Sequence, residues 1–297
     1  MFTRIPVFCC VAALTLVAAS AGKSALADDA GGPQSGLLHS SRSAPTDLEV
    51  SGLLRGLPPG ASRFVSYQDL LKLPQVAYTV ANDANFKGNA PVSGVALDEL
   101  ARALGALPEA SMVVAVCVDQ YRSFYTRSYM AAHHPLLVLK VNGKPQRDWP
   151  KDPEHGSDMG PYLISNPAFT PSFKVLAHED EQLIPWGVVR IEFRDGARVL
   201  VAIAPRLNDP LALQGYRIAQ QNCLRCHNLG PVGGTKAGHS WLVLAAWAKA
   251  DPGHFMNYIR DPRAVDARSS MPGNPNYDEA TVNALRVYFS TFIAPAK

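Results

Sequence analysis

From Leu48 onward, apolar and polar positions fall into short runs with recognisable periods. Leu48 to Leu53 (LEVSGL) alternates with period two, as a half-buried strand does. Ser66 is placed to cap a short helix carrying Leu70 and Leu71, which must stop before Pro74. Ser93 to Leu104 reads as an amphipathic helix, with Leu97, Leu100 and Leu104 at helical spacing. Met112 to Val118 and Leu136 to Val141 are continuous apolar runs of strand length, the second closed by the turn Asn142-Gly143. Trp186 to Phe193 and Arg198 to Ile203 flank Asp195-Gly196, which predicts a β-hairpin.

The character changes around Ala204 to Pro210 (APRLNDP). Beyond it only helices are predicted: Leu211 to Asn222, Ser240 to Ala248, Gly253 to Arg260 and Asp278 to Phe292. The last has Val282, Leu285, Phe289 and Phe292 on one face. The expected fold class is therefore two domains, an α+β and mostly-sheet domain over 48–204 followed by an all-α domain over 208–297. Residues 28–47, rich in Gly, Ser, Ala and Pro, have little to bury and read as a disordered leader.

A chain of 297 residues accommodates that division, and 47% hydrophobic against 18% charged residues suits globular domains. The formal charge of +3 is too small to point to nucleic acid as a partner. From Pro205 onward there are ten Lys and Arg against six Asp and Glu, so the excess of positive charge sits in the helical part. Residues 1–27 read as a signal peptide. Arg4 supplies the positive start, Val7 to Ala19 the apolar run, and Ala25-Leu26-Ala27 the cleavage site; a retained anchor is the other reading of this segment. The expected location is the periplasm. No later stretch approaches the roughly 20 apolar residues of a membrane span. With Cys9 and Cys10 inside the signal, Cys117, Cys223 and Cys226 remain, an odd number that excludes complete internal pairing.

Two of these are spaced for other chemistry. Cys223-Leu224-Arg225-Cys226-His227 has the c-type haem attachment pattern. Thiols three residues apart can each add to one vinyl group of a porphyrin as the chain curls past its edge, and the adjacent imidazole then reaches the iron. A thioredoxin-like pair would want a βαβ context, and a structural zinc site would want four ligands. Met271, before Pro272 in the loop SSMPGNPN, is the candidate sixth ligand, with His239 and His254 as alternatives. Trp241 and Trp247 are expected to pack near the haem, and Met256 in the core.

Four segments from Leu211 onward resemble a class I cytochrome c domain. They are Gly215-Tyr216 leading into the haem motif, Tyr258 to Arg263 (YIRDPR), Met271-Pro272, and the terminal Leu285 to Phe289 (LRVYF). The resemblance implies one covalent haem c on Cys223 and Cys226, with His227 and Met271 as axial iron ligands. It departs from the family at the residue whose backbone carbonyl would receive the His227 N–H. The family often has Gly-Pro there; here Gly238-His239 stands at that place, and Gly230-Pro231 lies closer to the motif.

In the first part, a series of segments occurs in order: Gly94 to Leu100 (GVALDEL), Cys117 to Tyr121 (CVDQY), Leu139 to Pro145 (LKVNGKP), Gly160 to Ile164 (GPYLI) and Trp186 to Val188 (WGV). This order is similar to the molybdopterin-binding domain of the sulfite oxidase fold. The resemblance implies a mixed sheet around a molybdenum cofactor held by a thiolate. Ala77 to Phe86 (AYTVANDANF), where that ligand is expected, has no cysteine, only Asn82 and Asp83. Cys117 is the remaining thiol, read as a buried small hydrophobe. Gln120 stands where the family has Gly. His133-His134 is read as a solvated or capping pair rather than a chelate. Arg122, Arg127, Lys140 and Lys144 are candidates for a phosphate grip, against a solvated face.

These expectations combine into a periplasmic c-type cytochrome that transfers electrons to and from redox partner proteins. It would carry one haem and a metal-free molybdopterin-domain-like module, and docking to a membrane or periplasmic dehydrogenase complex would suit it. One alternative is a molybdenum-dependent oxidoreductase passing electrons from a small substrate to its own haem, with molybdopterin as second cofactor. Another is a haem protein whose first domain is a docking scaffold.

Overall fold

The computed structural model describes residues 36–81, 83–167, 178 and 180–294. The predicted signal segment and residues 28–35 of the predicted leader lie outside them. Sheet strands dominate up to Arg194. In chain order they are β1 (Leu48–Gly52), β2 (Ser62–Val65), β3 (Val76–Val80), β4 (Ala90–Ala96), β5 (Met112–Cys117), β6 (Arg122–Thr126), β7 (Leu136–Val141), β8 (Tyr162–Ser165) and β9 (Trp186–Arg194). Short helices α1 (Tyr67–Leu70), α2 (Leu97–Ala103) and α3 (Arg127–His133) lie between them. The strand order is β2-β1-β9-β8-β7-β4-β3, with β5 also paired to β9 and β6 to β5. All pairings are antiparallel except β1 with β9.

Strand β5 explains its own sequence. Val113, Ala115 and Cys117 enter one core, with Leu97, Leu100 and Tyr162, whereas Met112, Val114 and Val116 enter another. Side chains alternate across a strand, so a strand covered on both faces must be apolar throughout. What covers the second face is helical: Ile203, Ile218, Trp241, Leu285 and Phe289 share that core with β5 and with Phe124 of β6. The helical part therefore has no closed core of its own.

After β9 come α4 (Gly196–Ala202), α5 (Pro210–Asn222), a two-stranded ribbon of β10 (Asn228–Leu229) and β11 (Val232–Gly233), then α6 (Trp241–Ala250), α7 (Pro252–Arg260), α8 (Pro262–Val265) and α9 (Glu279–Ser290). Each Asp-Pro pair here starts a helix. The carboxylates of Asp209, Asp251 and Asp261 accept first-turn N–H groups of α5, α7 and α8, and the proline following each stands in the first turn, where a missing N–H costs nothing. Helices α5 and α9 meet at Gly215, where an added Cβ would fall 2.1 Å from the Ala284 carbonyl oxygen.

Three expectations need correction. Residues 36–47 of the predicted disordered leader are packed: Leu37 is buried, His39 pairs with Phe64 across β2, and the Asp47 carboxylate accepts the Ser43 and Ala44 N–H groups. Arg198 to Ile203 is not the second arm of a hairpin but lies in and just after α4. Asp195 caps that helix by accepting the Ala197 and Arg198 N–H groups, and Val199 and Ile203, four residues apart, face the core. Ser93 to Ala96 belongs to β4, whose register with β7 holds it extended until α2 begins at Leu97. The reading of His133 and His134 as a capping or solvated pair holds: they end helix α3, with His134 exposed in the left-handed conformation at its C-terminus, and His133 bonds Asp180 at 2.8 Å.

Candidate functional site

Helix α5 delivers Cys223 to the surface of the second core, and the chain then curls rather than stopping. The Cys223 carbonyl accepts the N–H groups of Cys226 at 3.2 Å and His227 at 2.9 Å, which winds the CLRCH segment into a turn. Leu224 points inward and is fully buried, anchoring the turn. The two cysteines and the histidine consequently line one cavity.

His227 is 7% exposed. Its Nδ1–H donates to the backbone carbonyl of His239 at 2.7 Å. Burial depresses the imidazole pKa, which favours the neutral ring. With Nδ1 engaged as donor, Nε2 carries the lone pair, the tautomer a metal requires. The position that the sequence left open between Gly238-His239 and Gly230-Pro231 is thus filled by the His239 carbonyl. A carbonyl comes with every residue type, so a histidine serves there.

Met271 stands on the wall of the same cavity. Its loop is fastened to the end of α7. The Met271 N–H donates to Ser269 Oγ at 3.2 Å, Ser269 Oγ pairs with the Tyr258 hydroxyl at 2.9 Å, and the Asn274 side-chain amide donates to the Ile259 carbonyl at 2.9 Å. Leu244, Phe255, Ile259, Leu285 and Phe289 make the remainder of the wall largely apolar. The space free of protein atoms is about 940 Å³, counting the mouth that opens to solvent.

The thiols are unpaired. Burial pushes the Cys223 thiol up to about 12 and also raises that of Cys226, so both are protonated at neutral pH. The geometry offers two thiols on one turn, an imidazole with a free Nε2, and a thioether on the same apolar cavity. Such a set can hold a flat apolar group by two thioether bonds and take a metal between nitrogen and sulfur. The donor chemistry fits a c-type haem.

Of the other sequence candidates, His239 and His254 are not among the residues lining the cavity; both rings lie against Trp247, at 4.7 and 5.3 Å. Trp247 lines the cavity, while Trp241 is fully buried against Phe289 and Met256 packs on the core. Sequence reasoning did not single out Tyr121, Asn222, Arg225 or Tyr277 as lining residues. Arg225 lay inside the motif, yet nothing in its spacing distinguishes an inward guanidinium from a solvated one. Tyr121 comes from the sheet-bearing part, about a hundred positions away, where periodicity gives no signal.

The first-domain candidates do not converge. Cys117 is 2% exposed in the first core, and burial above all raises its thiol pKa far from the thiolate form. Asp83 is buried, accepts the Asn85 N–H at 2.8 Å and the Ser165 hydroxyl at 3.4 Å, and has its carboxyl pKa raised by burial; Asn82 lies outside the described residues. Arg122 pairs with Glu192, and Arg127 donates to the Pro108 carbonyl. Among the described residues no group of three or more His, Cys, Asp or Glu is arranged to hold a metal ion. A thiolate-bound molybdenum cofactor does not fit this donor set.

No family model matches the sequence, and no curated protein matches it. Among solved structures, the sulfane dehydrogenase SoxCD from Paracoccus pantotrophus is similar at a TM-score of 0.37 and 16% identity, over 52% of this chain. The match spans 40% of that chain's length. No helix among the described residues is long and apolar enough to cross a membrane.

Proposed function

We propose that this chain is an exported, periplasmic c-type cytochrome that carries one electron at a time between redox partner proteins. The observation that carries this reading is the His227 hydrogen bond to the His239 carbonyl. It leaves Nε2 available on a cavity whose wall also holds Cys223, Cys226 and Met271. In this reading residues 208–297 form the cytochrome domain and residues 48–204 a metal-free module.

Haem supplies reversible one-electron chemistry at its iron. The protein's part is to tether, ligate and dry it. Cys223 and Cys226 would hold it covalently through their sulfurs. His227 would ligate through Nε2, oriented by the His239 carbonyl, and Met271 would offer its thioether from the cavity wall. Leu244, Phe255, Ile259, Leu285 and Phe289 exclude water, which favours the form of lower charge.

The test is covalent attachment. Produced with its signal in a host able to mature c-type cytochromes, the protein should keep its red chromophore after denaturation and acid-acetone extraction. Chromophore lost to the solvent would overturn the reading.

A further inference from the structure

Tyr121 is alone among the described lining residues in coming from the sheet-bearing part; every other one lies at Asn222 or beyond. It follows the tip of the β5–β6 connection, where Gln120 has φ 67°. That tip is built into the segment around the CLRCH turn. The Arg122 N–H donates to the Arg225 carbonyl at 2.9 Å, and the Thr235 N–H donates to the Gln120 carbonyl at 3.3 Å. Asp119 accepts the Tyr121 N–H at 3.0 Å with one oxygen and pairs with Lys236 at 2.7 Å through the other. Lys236 also stands over the Tyr121 ring, 5.7 Å from its centre. The approach leaves no room for a side chain at Gly234, whose added Cβ would fall 1.9 Å from the Arg225 carbonyl oxygen and 3.0 Å from that of Gln120.

We propose that the β5–β6 connection is a fixed wall of the haem site, with Tyr121 as a positioning residue whose ring keeps water from the thioether edge beside Cys226. This rests on the haem reading above and extends it: the sheet-bearing part completes the cofactor site and helps to set its potential. The physical argument is one of solvation. Oxidised haem carries one more positive charge than reduced haem, so water at its edge stabilises the oxidised form and lowers the potential. The aromatic ring matters because it fills the wall.

The test compares haem-loaded wild type with Tyr121→Ala, Tyr121→Leu and Tyr121→Phe in redox titrations at one pH. At a fixed poise, Tyr121→Ala should lower the ratio of reduced to oxidised protein by roughly three- to tenfold, tenfold being 59 mV for one electron. Tyr121→Leu should move it the same way by less, and it decides the matter if the alanine variant does not fold. Tyr121→Phe should stay within about twofold of wild type. A folded alanine or leucine variant with the wild-type ratio would overturn the proposal, as would a phenylalanine variant shifted as far as alanine. Wild type without covalent chromophore would sink the underlying haem reading instead, so the two failures are distinguishable.

Discussion

Replacing Gly215 by Ala sets two effects against each other. On helix propensity alone, alanine in the interior of α5 should stabilise the protein by about 1 kcal/mol. The crossing with α9 opposes this. The new methyl would sit 2.1 Å from the Ala284 carbonyl oxygen, 2.5 Å from its carbon and 2.7 Å from Tyr288 Cβ. Two of these three are backbone atoms that no rotamer change can move, and ordinary contact begins near 3.4 Å, so the helices must part by about 1 Å. Overpacking in a filled core costs about 1–3 kcal/mol and sometimes more, and this close approach to backbone belongs at the upper end. The net expectation is a loss of about 2 kcal/mol, or roughly 3–4 °C in melting temperature for a chain of this size. Because α5 leads into Cys223 while Leu285 and Phe289 of α9 line the cavity, the haem spectrum should weaken in the same melt. Thermal unfolding followed by circular dichroism and by haem absorbance checks both. A Gly215→Ala protein that melts at or above the wild-type temperature would show that the propensity gain wins and that the helix crossing is looser than described.

Met271→Ala should abolish the weak near-infrared sulfur-to-iron band of the oxidised protein and lower its potential; a retained band would exclude Met271 as the ligand. Cys117→Ser should leave haem spectra unchanged. It should cost about 1–3 kcal/mol in urea unfolding, because a hydroxyl replaces a thiol buried in an apolar core; an altered spectrum would implicate Cys117 in the site. Asp69 accepts from His39, Lys72 and Ser66, and these contacts hold its carboxyl well below the usual range. A depressed folded-state pKa adds stability above the unfolded value near 3.9, lost as pH falls below it. Asp69→Asn should therefore destabilise by about 1–2 kcal/mol at pH 7, and the difference from wild type should shrink toward pH 3; an equal difference at both pH values would refute the assignment.

The elements legible in the sequence were those whose burial pattern is local. The α5, α7 and α9 helices carry their apolar stripes and aspartate caps locally, α6 carries its apolar stripe, and β5 declares its double burial by lacking any polar position. Where the sequence misled, two local signals competed. Asp195-Gly196 between apolar runs suits a hairpin turn, but the same Asp side chain can cap a helix, and Val199 and Ile203 at a spacing of four decide for α4. Packing of Leu37 was hidden by the Gly- and Ser-rich residues around it. At the site, the cysteines, His227 and Met271 could be read because their residue types carry the chemistry. The His239 carbonyl and the Tyr121 ring could not. The first contribution is blind to side-chain identity, and the second exists only once β5 and β6 lie beside the CLRCH turn.

On the proposed haem reading, the two main-chain bonds that tie Arg122 and Thr235 to Arg225 and Gln120 would also impose an order on biogenesis. An enzyme that joins haem to cysteine must reach both sulfurs while the strands flanking them are still open. Once the hairpin has docked, Cys226 is partly covered and the turn is clamped from one side. Ligation would accordingly come first on that reading, on a chain whose sheet has not yet closed over it, and the arrival of the hairpin would then act as the latch of a maturation step already complete.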